Sequence, residues 1–319
     1  MDKWVKANDW VGSHLFYIVL SAVLLGLFVP IPQLHYLKEM VIVIFAYITF
    51  VTSLGTGFKK FISVLKKPGI PVWILILSHI IVPVFAWIYG SLFYHGDAMM
   101  RMGLLIIASI PVAVTSILWT SIVGGNIAVT ILAVTIDTLI APVLLPFMFI
   151  IIIGTHIQIN YVSMVLQLFM MVTIPSIAGM LITDATKGKL DKFAKGSGGL
   201  TSRLALFFVI FFNTSLVSPE VILSASLVKT LLLVLLLVIS GFAIGYLGSF
   251  ALKERSWETI MAVVYSVGMR NIAFGLVLAI AYFPTAVSIP VTLAILFQQP
   301  TAALISYIYK RYILVNKAQ

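Results

Sequence analysis

Long apolar runs, separated by short polar segments, occupy almost the whole of this chain. Most of these runs reach the roughly 20 residues that an α-helix needs to cross the hydrocarbon core of a bilayer. They are continuous, whereas the strands of a membrane barrel alternate between apolar and polar residues. The chain is therefore predicted to be an all-α polytopic membrane protein without a soluble domain.

The composition excludes several other classes of protein. Of the 319 residues, 61% are hydrophobic and 9% are charged, whereas a soluble domain carries about 25% charged residues. The net charge of +10 does not indicate a nucleic-acid partner, because the basic residues lie in the short segments between the apolar runs. Cysteine is absent, which excludes disulfides, thiolate metal sites and a catalytic thiol. Neither a phosphate-binding glycine loop nor a nucleophile elbow is found, so we expect no enzyme and no cofactor.

Ten membrane spans account for the apolar runs, and Gly124, Gly125 and Asn126 divide the fourth span from the fifth. The segment before the first span, which carries Trp4 and Trp10, is expected to lie at the membrane interface. The predicted spans are residues 13–31, 37–57, 70–94, 102–123, 127–153, 160–183, 202–217, 226–250, 258–282 and 287–310.

The distribution of Lys and Arg predicts the orientation of the chain. With ten spans, sixteen of these residues fall on one side of the membrane and three, Lys38, Arg101 and Lys229, fall on the other. Basic residues concentrate in cytoplasmic loops. Both termini are therefore predicted to lie in the cytoplasm, and the protein in the inner (plasma) membrane of the cell.

Five spans per half place the second half in the membrane upside down, which is typical of transporters built from inverted repeats. A short internal similarity favours such a repeat. Residues 50–54 (FVTSL) are predicted to close the second span of the first half, and residues 212–216 (FNTSL) to close the second span of the other half. The sequence therefore predicts an inverted five-plus-five repeat.

Two opposite charges lie deep within apolar runs, Arg270 in the ninth span and Asp137 in the fifth. A charge at membrane depth costs about 2.5–3.5 kcal/mol on insertion scales and is tolerated mainly where it faces a partner or a water-filled cavity. Arg270 is predicted either to serve a transport site or to form a structural ion pair between two spans. Asp137 is predicted to stay neutral, to pair with Arg270 or to carry a proton. His79 and His156 stand alone, without metal-ligand spacing.

The fourth and ninth spans hold equivalent positions in the two halves, and each contains residues that disturb a helix. Pro111 is expected to break or kink the fourth span, and Gly268 comes just before Arg270 in the ninth. Irregular helices at equivalent positions are typical of transporter binding sites. Alternatively, the fourth span is only kinked, and its hydroxyls bond back to their own helix. The predicted substrate-binding residues are Thr115, Ser116, Arg270, Asn271, Asn213 and Gln298.

These segments resemble the bile acid/sodium symporter family, including the bacterial homologues of the ileal apical sodium-dependent bile acid transporter. The resemblance covers most of the chain and implies that helices 4 and 9 are broken and cross. It also implies a panel domain of helices 1, 2, 6 and 7 and a core domain of helices 3–5 and 8–10. Along the chain, residues 1–183 would hold helices 1–6, residues 184–201 a cytoplasmic linker and residues 202–319 helices 7–10. The local matches are residues 53–55 with 61–68, residues 111–126, residues 141–142 and residues 267–271 (VGMRN).

Several positions depart from the sodium-coupled members of that family. Where those members carry an acidic residue and a glutamine, this chain has Ser266 and Arg270. An asparagine and a hydroxyl residue of the family are replaced here by Ile117 and Val134. The resemblance therefore implies that most side-chain ligands of both sodium sites are lost, and that Arg270 takes part of the role of a sodium ion. A residual sodium site would use Ser116, Thr130 and Ser266, and the candidates for coupling a sodium ion or a proton are Ser116, Thr130, Asp137, Ser266 and Met269.

The chain is predicted to be a secondary transporter of small or amphipathic organic anions, such as bile acids, pantothenate-like acids or keto acids. It would work by alternating access, as a monomer in contact with membrane lipids, with weak or no dependence on sodium. Arsenite, the substrate of a neighbouring branch, is not expected because that branch is thought to need a cysteine. A non-transporting sensor or receptor and an anion channel are the alternatives, although few polar residues are present to line a channel.

Overall fold

The computed structural model describes residues 3–29, 31, 35–55, 57–59, 62, 69–153, 160–222, 227–253 and 255–317. Within these ranges every regular element is a helix, as the all-α prediction requires. The helices are α1 (Lys3–Ser13), α2 (Leu15–Phe28), α3 (His35–Ser53), α4 (Gly69–Phe93), α5 (Ala98–Ser109), α6 (Thr115–Ile122), α7 (Ile127–Ile153), α8 (Tyr161–Ala185), α9 (Asp191–Lys195), α10 (Ser197–Ile222), α11 (Leu227–Ser249), α12 (Trp257–Gly268), α13 (Ile272–Tyr282) and α14 (Ser288–Lys317).

Among the described residues, six helical segments are long and apolar enough to cross a membrane, and the pair α1–α2, bent by 67°, makes a seventh if it counts as one span. Three shorter apolar stretches, Glu39–Ser53, Ala98–Ser109 and Ile272–Tyr282, lie between them. The chain is therefore a multi-pass helical membrane protein.

Two predicted features of the seventh span are wrong. α10 begins at Ser197, inside the segment predicted to be a linker, and its Gly199 packs closely on α1: a Cβ there would lie 2.5 Å from Asn8 Nδ2. α10 also continues to Ile222, so residues 212–216 lie within a helix rather than at its end. Residues 50–54 do lie at the end of α3.

Some predicted features fall on parts of the chain that the structure does not describe. His156 lies outside the described residues, and so does the family-like segment 61–68 apart from residue 62.

Both helix breaks occur where the sequence predicts them. α5 ends at Ser109 because Pro111 has no N–H to continue the helical ladder and holds Ile110 in extended backbone (φ −62°, ψ 155°). α12 ends at Gly268, where a Cβ would lie 2.2 Å from a ring carbon of Phe242. A residue with a side chain would therefore separate α12 from α11.

The two breaks are bonded to each other. Val112 and Arg270 form an isolated antiparallel bridge, and the Asn271 N–H donates to Pro111 O at 2.7 Å. A second hydrogen bond, 2.9 Å long, joins the Ala113 N–H to the other break. Buried backbone N–H and C=O groups that lose their helical hydrogen bonds need other partners. Here the backbone groups of each break hydrogen-bond to those of the other break.

Two groups of helices pack mainly among themselves. α2, α3, α8 and α10 form one group, and α4, α5, α7, α11, α12, α13 and α14 form the other. α6, which follows the first break, packs on α7 and α12 in the second group. The crossed breaks lie within the second group and face the first.

Candidate functional site

A cavity of about 610 Å³ lies between the two groups of helices. One wall consists of α2, α3, α8 and α10, and the other of the crossed breaks with α6, α7, α13 and α14. The lining is mostly apolar, with hydroxyl and amide groups near the breaks. Its size suits a small or drug-sized molecule, since ligand pockets are typically about 300–1,000 Å³.

The inner end of the cavity is formed by two helix N-termini. α6 begins at Thr115 and α13 at Ile272, and Thr115 and Asn271 both line the cavity. The Asn271 side chain caps α13 by accepting the Phe274 N–H at 3.2 Å. Helix N-termini carry partial positive charge, although the N–H groups of Ser116, Ile117 and Ile272 already have backbone acceptors here. This end of the cavity is therefore suited to an anionic group.

Arg270 is 4% exposed, and its guanidinium is held by backbone carbonyls. Nη2 donates to Ser78 O at 3.0 Å and Nη1 donates to Ile110 O at 3.4 Å. Arg270 lines the cavity, but Ser78 and Ile110 do not. The side chain thus runs from the cavity wall into the second group of helices, where it ties α4 to both breaks.

Gln298 clamps the ninth break. Its Oε1 accepts the Arg270 N–H at 2.7 Å, and its Nε2 donates to Arg270 O at 3.0 Å. Gln298 also lines the cavity. The amide side chain therefore bonds to both the N–H and the C=O of Arg270, within the break between α12 and α13.

Asp137 pairs with a histidine and not with Arg270. His79 Nε2 lies 2.6 Å from Asp137 Oδ1, and Asp137 Oδ2 accepts the Val112 N–H at 2.8 Å. Among the predicted alternatives, the ion pair with Arg270 is thus not formed. His79 was not predicted as a site residue because it has no metal-ligand spacing to another residue. Its position within the third apolar span is the feature that could have indicated a role.

The residues predicted to be sodium ligands are buried and carry no charge. The Oγ atoms of Ser116 and Ser266 are buried without hydrogen-bond partners among the described residues, so Ser116 does not bond back to its own helix. Thr130 Oγ1 donates a hydrogen bond to Thr120 Oγ1 at 3.2 Å. Met269 is buried, and its side chain carries no charge. The described residues contain no cluster of three or more acidic, His or Cys side chains able to hold a metal ion.

Not all of the predicted substrate residues reach the cavity. Thr115, Arg270, Asn271 and Gln298 line it, whereas Ser116 and Asn213 do not. Asn213 lies within α10, buried, and its Nδ2 donates to Thr292 Oγ1 at 3.4 Å. It therefore packs α10 against α14 and does not cap a helix end.

Two further residues of the cavity were not predicted. Ser176 on α8 is buried in the cavity wall, and its Oγ has no partner among the described residues. Arg203 lines the cavity near Lys195 and donates to Asn8 O, and its guanidinium packs against Gly12. No sequence pattern indicates a role for Arg203, because a basic residue at the start of a predicted span is typical of the cytoplasmic membrane interface. Arg203 and Lys195 are thus two basic residues in the lining of the cavity.

The fold defines a multi-pass membrane protein with a cavity between two groups of helices, and comparison with known proteins identifies its family. The sequence matches the Sodium Bile acid symporter family over residues 40–224. This chain belongs to that family.

Relatives are found in bacteria and plants. The chain is 32% identical over 270 residues to the "Uncharacterized protein YbaS" of Bacillus subtilis (strain 168), covering 84% of this chain and 88% of that protein. It is 24% identical over 294 residues to the "Uncharacterized sodium-dependent transporter YocS" of the same organism, covering 91% of this chain and 88% of that one. A rice (Oryza sativa subsp. japonica) protein, "Probable sodium/metabolite cotransporter BASS2, chloroplastic", is 24% identical over 201 residues, 60% of this chain and 47% of its own length.

Proposed function

We propose that this chain is a secondary transporter of small or amphipathic organic anions that works by alternating access. The observation that carries the proposal is the cavity of about 610 Å³ that ends at two helix N-termini. Its apolar walls suit a hydrophobic body, and its inner end suits a carboxylate or sulfate group. The names of two relatives, a transporter and a cotransporter, support transport over a receptor or a channel. No enzymatic activity is expected.

The finer architecture that we propose is an inverted five-plus-five repeat of ten spans. α5 with α6, and α12 with α13, would each form one broken span, at equivalent positions in the two halves. α1–α2, α3, α8 and α10 would form the panel domain, and the helices around the breaks the core domain. Rocking of one against the other would open the cavity to alternate sides of the membrane.

In this arrangement the substrate's anionic group would lie against the N-termini of α6 and α13. Thr115 and Asn271 would supply polar contacts there, with Ser176 offering its free hydroxyl from the opposite wall. Arg270 would contribute its buried positive charge to the field at this point, and Gln298 would hold the break in shape. Arg203, in the lining of the cavity, would attract anions.

We propose weak or no dependence on sodium. The hydroxyls of Ser116, Thr130 and Ser266 lack a compensating carboxylate, and Arg270 adds a fixed positive charge beside the breaks that repels a cation. The transporter would then use a proton or simple exchange.

A thermal-shift screen of organic anions, with and without sodium, tests the substrate class. Ligands that bind only the folded protein raise the unfolding temperature. Bile acids, steroid sulfates, pantothenate and keto acids are the compounds to compare, with an uncharged analogue of each as control. Stabilisation by the anions but not by the analogues is expected, and equal stabilisation by both would count against an anion site.

Cysteine labelling tests the proposed orientation, in which the termini are cytoplasmic and the protein lies in the inner membrane. The chain has no native cysteine, so one introduced thiol reports cleanly. Lys192→Cys and Gly96→Cys replace exposed residues that the proposed topology places inside and outside, respectively. In intact cells an impermeant maleimide is expected to label only Gly96→Cys; labelling of Lys192→Cys alone would reverse the orientation.

A further inference from the structure

We propose that His79 and Asp137 form a proton-binding site that couples proton movement to organic-anion transport. The inference rests on the proposed function and assigns its coupling ion to particular atoms. The two side chains are 4% and 0% exposed and lie 2.6 Å apart. They form the sole ion pair between side chains within the described part of the chain.

The short contact between the two side chains indicates that one hydrogen already lies between His79 Nε2 and Asp137 Oδ1. A distance of 2.6 Å between His79 Nε2 and Asp137 Oδ1 requires a hydrogen between them. In the neutral form of the histidine, Nε2–H donates to the carboxylate, and Nδ1 keeps a lone pair. His79 Nδ1 is buried and has no partner among the described residues. A proton that adds to this lone pair converts the imidazole into an imidazolium ion, and no bond is broken.

The pair is connected to both helix breaks. Asp137 Oδ2 accepts the Val112 N–H, at the break between α5 and α6. Ser78, the neighbour of His79, accepts from Arg270, at the break between α12 and α13. Ser78 and His79 lie in a π-helical turn, Leu77–Ile81, within α4, and such turns are frequent at functional sites. A change of charge on His79 therefore acts on the residues that shape the inner end of the cavity.

The charges buried around the pair explain why protonation of His79 would strengthen the binding of an anion. Arg270 is the charged group that faces the pair from the ninth break, and Asp137 acts on it electrostatically. Other charged residues on the helices packed around the pair, Arg101, Lys229 and Glu258, lie in the first turns of α5, α11 and α12. With His79 neutral, Arg270 and Asp137 cancel. Protonation leaves one uncompensated positive charge in a medium of low dielectric constant, and an organic anion at the N-termini of α6 and α13 offsets it.

Linkage makes this coupling reciprocal, so an anion that binds the protonated protein more tightly also raises its proton affinity. The measurement is proton uptake when taurocholate or pantothenate is added to the purified protein in weakly buffered detergent solution with a pH indicator. About one proton per bound anion is expected for the wild-type chain. His79→Gln keeps an N–H for Asp137 but cannot accept a proton, so it is expected to bind the anion more weakly and take up none. His95→Gln changes an exposed histidine that contacts Ser91 O and is expected to match the wild type.

The outcomes separate this inference from the proposed function. Anion binding without proton uptake, or equal uptake by His79→Gln, overturns the inference and leaves the transport proposal intact. If neither anion binds, the substrate proposal fails for these probes, and the proton site is decided by nitrogen-15 NMR of labelled histidines. The wild-type His79 ring is then expected to show a second N–H, at Nδ1, when the proton is bound, and Asp137→Asn is expected to lack it. A His79 ring that carries a single N–H under every condition contradicts the proposal.

Discussion

Replacing Arg270 by glutamine is expected to weaken organic-anion binding by about 10- to 100-fold, the equivalent of about 1.5–3 kcal/mol for a charge-assisted interaction. Arg270 brings the fixed positive charge that lies closest to the breaks, and its field acts through a low-dielectric interior. Arg270→Lys keeps the charge but not the planar fork that reaches both Ser78 O and Ile110 O, so an intermediate affinity is expected. Isothermal titration calorimetry of each purified variant measures the effect.

Arg101→Gln is the matched control for Arg270, because Arg101 lies in the first turn of α5, beside Gly90. Its anion affinity is expected to equal that of the wild type. If Arg270→Gln binds anions normally while its unfolding temperature falls, Arg270 serves only to join the helices. That result would favour the alternative that Arg270 has a structural role only.

Gln298→Ala is expected to lower the free energy of unfolding by about 1–3 kcal/mol, the cost of one unsatisfied buried group. The substitution leaves the N–H of Arg270 without a partner in a buried site, whereas the C=O of Arg270 loses Gln298 Nε2 but still accepts the Ile272 N–H at 2.9 Å. Gln298→Glu is expected to lose less, because its carboxylate still accepts the N–H although it cannot donate to the C=O. Thermal unfolding in detergent, followed by circular dichroism, compares the variants.

The neighbouring Gln299 provides the control for this clamp. Its Oε1 accepts the Trp119 Nε1–H at 2.8 Å, and the side chain is half-buried, so water replaces the lost partner in Gln299→Ala. The expected loss is below about 1 kcal/mol. Equal stability of Gln298→Ala and Gln299→Ala would show that the ninth break does not depend on the clamp.

The sequence predicts the location of the breaks because their causes are local. Pro111 cannot donate a backbone hydrogen bond, and a charge as deep as Arg270 indicates a polar interior in any long apolar run. Both signals act within a few residues of the feature that they predict. The same holds for the all-α class, which follows from the length of the apolar runs alone.

The partners of the buried side chains cannot be predicted in this way. Asp137 pairs with His79, which lies 58 positions away in the sequence, and Gln298 hydrogen-bonds to Arg270, 28 positions away. Which residues become partners depends on how α4, α7 and α14 pack around the breaks, and no local sequence pattern specifies that packing. Arg203 was missed for a related reason: it lies at the start of a predicted span, and its place in the cavity lining beside Gly12 depends on how α10 packs against α1.

Uptake into proteoliposomes under imposed ion gradients tests the central claim most directly. The vesicles contain purified protein, and a radiolabelled anion chosen from the thermal-shift screen is followed with a sodium gradient, a proton gradient, both or neither. An inward proton gradient is expected to drive accumulation of the anion, a sodium gradient to have little effect, and Asp137→Asn to lose the response to protons. Steep stimulation by sodium, with no response to pH and no loss in Asp137→Asn, would contradict this account.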